Sequence, residues 1–417
     1  MSKANFRDYI PAPDKSPISG EDARSHADGV VNGRATVKDL FDHWQALRAE
    51  PFRGITADGE IIPGLFALGP ERAPARTMAE AARRLMETLT PEQRASGCFP
   101  MSSDQWRNWQ NTELYVEHHG LRLDEVSETV RRACLDVMRA SLSDTGYERT
   151  RKAMKLNGFL GDLVDAPLVM GEFSYIFCLF GTPSRDEPWG WQLFGHHLTL
   201  NCVIVGDQMT LTPTFMGAEP SYADEGQFAG ISLFEDEERL GLALRRSLDE
   251  RQAGQAHLYQ DMMGGDMPPE RRQFADQLHY GGAYQDNRII PYEGIRGSAL
   301  DAGQRQRLLD LTAAYAGTLP EGPFGARMEE VERHLAETRF CWIGAADEGH
   351  PFYYRIQSPV IMIEFDHHAG VYLTNAEPMN FHVHTLVRTP NGNDYGLDLL
   401  RLHYENAPHH RHGQGHD

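Results

Sequence analysis

Long hydrophobic runs are missing from this 417-residue chain. No uninterrupted apolar stretch approaches the roughly 18 residues that cross a bilayer as a helix. The opening MSKANFRDYIPAPDKSP carries charge and proline where a secretory signal needs an apolar centre, so the cytoplasm is the expected compartment. Cysteine is scarce. The five thiols (Cys98, Cys134, Cys178, Cys202, Cys341) are odd in number and never in Cys-x-x-Cys spacing, which argues against a disulfide framework or a thiolate zinc site. No Gly-x-Gly-x-x-Gly or P-loop stands between a strand and a helix, and Gly-x-Ser-x-Gly and His-Glu-x-x-His are absent. Those gaps disfavour nucleotide-dependent reactions, the usual serine hydrolases and the zincins. Basic charge is also in deficit, with 40 Lys and Arg against 60 Asp and Glu for a formal net charge of -20. Such a field repels phosphate backbones and anionic lipid, so neither nucleic acid nor a membrane is an expected partner. A small-molecule substrate is expected, and homo-oligomerisation is left open.

What remains is ordinary for a folded protein: 41% hydrophobic and 24% charged residues. The length suits two or three domains, or one large domain with insertions. Residues 1–35 are polar and rich in Gly, Pro, Asp and Ser, and read as an N-terminal arm. Residues 36–168 form a mainly helical portion. Apolar residues at steps of three and four predict helices over 36–48, 77–89, a short piece from 91, 123–143 and 147–163, with a strand-like piece at 59–67. From residue 169 the texture becomes aromatic and β-rich. Strands are expected over 171–181 and, as one long element, over 191–207, followed by a hairpin into 209–217. Helices return at 233–258 and 302–317. Further strands follow at 340–345, 351–357, 360–366, 370–375 and 379–388, with a last helix over 394–406. The histidine-rich tail 407–417 reads as mobile. The predicted class is therefore α+β: a mostly helical N-terminal portion, then a largely antiparallel sheet with interspersed helices, occupying 169–406.

Three constellations carry chemistry. On a strand over 379–388, His382, His384, Leu386 and Arg388 share one face, and Phe381, Val383, Thr385 and Val387 the other. Two imidazoles roughly 6–7 Å apart on one face can reach the same zinc or iron ion. The plainer alternative is two histidines that lie at the surface or are satisfied by the core. In Gly195-His196-His197-Leu198, strand alternation sets His197 beside Thr199 and Asn201, a polar lining. It sets His196 beside Leu198, Leu200 and Cys202, so His197 is favoured over His196 as a ligand; a bulge at Gly195 would reverse this. In the apolar run 360–368, Glu364 and Asp366 share a face. A carboxylate there costs several kcal/mol if unpaired, so Glu364 is expected to bind either an arginine or a metal. His367 and His368 fall at an expected turn and are read as exposed. Asp394 reads as a helix cap, and His403 as a further ligand or general base if it is not structural.

The segments LSDTGYER (142–149), WQLFGHHLTLN (191–201), TPTFMGAEP (212–220), YYRIQSPVIMIEFD (353–366) and HVHTLVRTPNGNDYGLDLLRLHY (382–404) resemble the domain-of-unknown-function 3500 family, over about 106–404. That resemblance implies no mechanism. It does gather the same histidines, Glu364 and Arg388 into the family's recognisable motifs.

The sequence thus predicts a metal-dependent enzyme, hydrolytic in type, holding one divalent zinc or iron ion through His382, His384 and either His197 or Glu364. Arg388 would pair a substrate anion, and Glu364 or His403 would manage protons. Two alternatives stand beside it: a non-haem iron oxygenase with a His/carboxylate site, and a small-molecule-binding protein without turnover.

Overall fold

The computed structural model describes residues 4–12, 18, 20–116 and 118–406. The tail 407–417 lies outside the described residues. Among the described residues, twelve strands form one sheet: β1 (Cys98–Phe99), β2 (Leu121–Arg122), β3 (Tyr175–Gly181), β4 (Trp189–Gly195), β5 (Leu198–Val205), β6 (Gln208–Ala218), β7 (His257–Tyr259), β8 (Ile295–Arg296), β9 (Arg339–Gly344), β10 (Phe352–Gln357), β11 (Met362–His368) and β12 (Met379–Arg388). The main path runs β1-β3-β4-β5-β6-β12-β11-β10-β9-β7, with β2 paired to β3 and β8 to β9. All pairings are antiparallel except β1 with β3 and β7 with β9. The helices are α1 (Ala23–Gly33), α2 (Ala35–Ala49), α3 (Ala75–Thr88), α4 (Pro91–Gly97), α5 (Glu128–Ser141), α6 (Asp144–Leu163), α7 (Glu235–Ser247), α8 (Glu250–Ala256), α9 (Ala302–Ala316), α10 (Glu321–Arg333) and α11 (Leu397–Asn406). The architecture is α+β, with helices concentrated in the N-terminal part and a mostly antiparallel sheet after it. Among the described residues, no helix is long and apolar enough to cross a membrane.

Alternation along the strands builds two cores, one on each face of the sheet. On one face Met78, Leu85, Val137, Leu160, Leu242 and Leu308, from α3, α5, α6, α7 and α9, pack on Trp191, Leu200, Phe365 and Val383. On the other, Val30, Phe41 and Trp44 of α1 and α2 join Trp109, Tyr284, Phe215, Met362 and Leu386. This second face carries the even-numbered side chains of β11 and β12, including His368, His382 and His384. Within 1–35, α1 starts at an Asp22 capping box, and Phe6 is buried against Phe159, Tyr222 and Phe381.

Several local expectations are corrected. The run 191–207 is two strands, β4 and β5, joined by a turn at His196-His197, with Gly195 paired to Leu198. Residues 59–67 form no strand, and neither do 370–375. The three backbone N–H groups of Val371, Tyr372 and Leu373 instead donate to one buried carboxylate, Glu219. The helix expected over 233–258 is broken before Asp249, whose side chain caps a new helix in a box with Gln252. α10 went unread because Gly322, Pro323 and Gly325 look like breakers; a proline in the first turn costs no intrahelical hydrogen bond.

Candidate metal centre

The two halves of the sheet meet where β6 pairs with β12, and the register sets His384 opposite Gly217. His382 and His384 are consecutive residues on one face of β12, as a strand demands. His197 reaches them from the turn between β4 and β5, where its φ of 60° places it in the left-handed region. A non-glycine residue pays about 1–2 kcal/mol for that conformation. The turn is held by two backbone bonds: His197 N donates to Asn111 O at 3.2 Å, and Gly217 N donates to His197 O at 2.7 Å. Gly217 also clears space for the rings. A Cβ there would stand 2.9 Å from His384 Cδ2 and 3.2 Å from His197 Cδ2.

The three imidazoles converge through their Nε2 atoms. His382 Nε2 lies 3.1 Å from His384 Nε2 and 3.3 Å from His197 Nε2. Ligand atoms of all three fall within 4.8 Å of one another. Two nitrogens bound at ~2.05 Å to one cation stand about 2.9 Å apart at a right angle and about 3.3 Å apart at the tetrahedral angle. Both short distances fall in that interval. Hydrogen bonding explains them less well, because a neutral Nε2 has either one proton or one lone pair and cannot make two full bonds. Burial lowers the pKa of each well below the ordinary imidazole value, and neighbouring histidines add to the effect. The resulting neutral ring is the form that binds a metal. Residue types, spacing and protonation all fit a divalent cation.

Around the triad lies a second set of buried polar groups. The His368 ring is 4.1 Å from that of His384 and 4.7 Å from that of His382. Its Nδ1 donates to Ala369 O at 2.9 Å, which leaves a lone pair on a buried, unpartnered Nε2. Asp366 is the direct cross-strand neighbour of His384. Its Oδ1 sits 3.4 Å from His279 Nε2, and neither residue makes a hydrogen bond of normal geometry through its side chain. Burial, with Glu364 and Asp276 nearby, pushes the Asp366 carboxyl well up, and burial lowers His279 to about 4. Glu219 Oε1 stands 3.7 Å from His382 Nδ1 while binding the 371–373 amides, and burial raises it to about 7.

Of the residues singled out from the sequence, His197, His382 and His384 are brought together. His196 lies against His197, with ring centroids 3.8 Å apart, but its Nδ1 is 2.8 Å from Asn157 Oδ1 on α6. Glu364 is not at the triad. Its oxygens accept from Tyr280 N, Gly281 N and Tyr353 Oη at 2.7–3.0 Å, which fastens the 280–281 loop to the sheet. Burial alone would raise its pKa, but His279, Arg355 and those amides outweigh burial and hold it below the usual value. Arg388 is committed to the protein itself: Asp286 at 2.9 Å, Asp394 at 3.1 Å, and the carbonyls of Gly281 and Gly282. Asp394 thus serves as its counter-ion, and also accepts from Thr389 N at 2.8 Å. His403, on α11, lies 3.9 Å from Glu187. Glu187 precedes β4 at the end opposite the His196-His197 turn, a strand length of roughly 20 Å from the triad. His367 and His368 are buried in β11 rather than exposed at a turn. His367 occupies the other face of the sheet, where its Nδ1 accepts from Phe352 N at 3.0 Å. Sequence reasoning missed His279 and Glu219. The isolated His-Tyr-Gly-Gly in a loop was the one available hint for His279.

Fold and site together define a mixed α+β protein with a buried histidine centre at the seam of its sheet. The chain matches the family model of the protein of unknown function DUF3500 over residues 71–397, most of its length, and belongs to that family. The match begins earlier and ends slightly earlier than the resembling segments indicate. No curated protein and no solved structure matches it.

Proposed function

We propose that this protein is a metal-dependent enzyme in which His197, His382 and His384 hold one divalent cation, zinc or iron, for hydrolysis of a small organic substrate. The convergence of three Nε2 atoms, two of the contacts at 3.1 and 3.3 Å, carries this reading. A cation so held would supply a water-derived nucleophile near neutral pH. The chain's own residues supply the rest. Gly217 leaves room for the rings, and Glu219 fixes the 371–373 loop beside His382. Asp366 and His279 form a buried pair that can hold one proton between Oδ1 and Nε2. His368 offers a lone pair at Nε2, its tautomer set by Ala369.

A non-haem iron oxygenase is the second reading. Asp366, across from His384 on the neighbouring strand, is the carboxylate this reading would recruit, because Glu364 is taken up by the 280–281 amides. Elemental analysis of the purified protein and of the H382A/H384A double variant tests both. About one equivalent of zinc favours hydrolysis, and about one of iron favours oxygenation; either should vanish in the double variant. A fully loaded double variant, or a parent protein that takes up neither zinc nor iron, overturns the ligand assignment.

A further inference from the structure

On the histidine-bearing face, three guanidinium groups gather on one ring. Arg271, Arg288 and Arg355 lie 4.1, 4.6 and 5.2 Å from the centroid of Tyr280, and Arg271 is also 4.7 Å from that of Tyr353. Arg271 and Arg355 are each 1% exposed. Their surroundings do not satisfy them. Arg355 pairs with Glu293 at 2.7 Å, yet its Nη1 has no hydrogen-bond partner. Arg271 donates through Nη1 to Leu278 O, while its buried Nε and Nη2 have none. Among the described residues Arg271 makes no ion pair, and neither does Arg288. Stacking between two tyrosines occupies the faces of the Arg271 guanidinium, but its N–H bonds lie in the plane and still need acceptors. The nearby carboxylate of Glu364 is already taken by two amides and a phenol.

A buried cation with idle donors, beside two like charges, is unfavourable unless an anion completes it. We propose that Arg271, with Arg355 and Arg288, is a binding subsite for an oxyanion, the carboxylate or phosphate group of a small molecule. The planar fork of donors suits either group. The subsite lies on the same sheet face as the triad: Arg355 and Glu364 share one cross-strand row, and Tyr353, Asp366 and His384 share the next. Two strand spacings and one row separate the Arg355 and His384 backbones by roughly 12 Å, a span that a small organic anion and the two side chains can fill. As an anion subsite this stands whether or not the triad holds a metal. As the anchor for the substrate it rests on the function proposed above.

Calorimetric titration with inorganic phosphate and with acetate, at low ionic strength, tests it on the full chain and on R271Q and R288Q. The parent should bind one of these probes saturably at a single site, and R271Q should weaken it about tenfold or more. R288Q, at a half-buried position, should weaken it several-fold. A tighter phosphate site points to a phosphorylated substrate, and a tighter acetate site to a carboxylic acid. Metal content measured on the same samples separates the two ideas, because an anion held by a metal would bind R271Q as tightly as the parent. No saturable binding to the parent up to millimolar concentration, or a folded R271Q of unchanged affinity, overturns the proposal. If R271Q does not fold, an unchanged affinity in R288Q does so.

Discussion

Replacing Gly217 by alanine adds a single methyl group beside the triad without replacing any of its three histidines. Its Cβ would meet Val383 O and His384 Cδ2 at 2.9 Å each and His197 Cδ2 at 3.2 Å. Ordinary contacts begin near 3.4 Å, so about half an ångström must be found. The Val383 carbonyl belongs to the β6–β12 ladder and can yield little, which leaves the two rings to move. Metal–nitrogen bonds tolerate only about 0.2 Å of error, and disturbing the shell around ligands typically costs 10–100-fold in affinity. G217A should therefore weaken zinc binding by about that factor, or ~1.4–2.7 kcal/mol, with a further overpacking cost to stability of about 1–3 kcal/mol. Competition against a chromophoric chelator measures the first, and denaturant unfolding the second. A G217A protein with parental affinity would mean that the rings are not held at bonding distance, and the centre as described would fall with it.

Other substitutions separate supporting residues from ligands. R388M should destabilise the protein by about 3–5 kcal/mol, because Asp394 stays buried without its cation and Asp286 keeps only Arg107. It should leave metal content unchanged, and a variant as stable as its parent would return Arg388 to the candidates for ligand binding. E364Q places an amide NH₂ against the backbone donors of residues 280–281 and should cost about 1–3 kcal/mol in urea denaturation. Its metal content should match the parent's; loss of metal would identify Glu364 as a ligand after all. Titration with a thiol reagent should find at most one reactive cysteine in the native protein, the half-buried Cys98, and five after unfolding. Rapid labelling of several native thiols would contradict the packing around β3 and β5.

What could be read in advance tracks how local its cause is. His382 and His384 share a face of β12 through simple alternation, and a regular ten-residue strand obeys it. His197 was reached through an alternation that does not apply, since it sits in a turn. Nothing in His-His resembles the Asn-Gly of a tight hairpin, and only the bonds to Asn111 and Gly217 explain its backbone. His368 was judged exposed because Ala-Gly follows it, yet β11 continues to His368 and pairs with Met379. The 370–375 segment has strand-like composition, but Glu219, about 150 residues earlier in the chain, claims its amides in place of a neighbouring strand. Glu364 was expected to find an arginine or a metal, and Arg388 a substrate anion; both are instead satisfied by other groups of the protein. Which partners they found was decided by the 276–287 loop, whose sequence has no periodicity to read.

Because His197 hangs on the first half of the sheet and His382 with His384 on the second, neither half can assemble the centre alone. During synthesis β6 must wait, its edge unpaired, until nearly the whole chain has emerged and β12 can dock against it. Such an open edge invites pairing with other molecules. A cation gripped across that join would act as a fastener, rewarding completion of the sheet, and starvation for metal would then show first as a chain that fails to close.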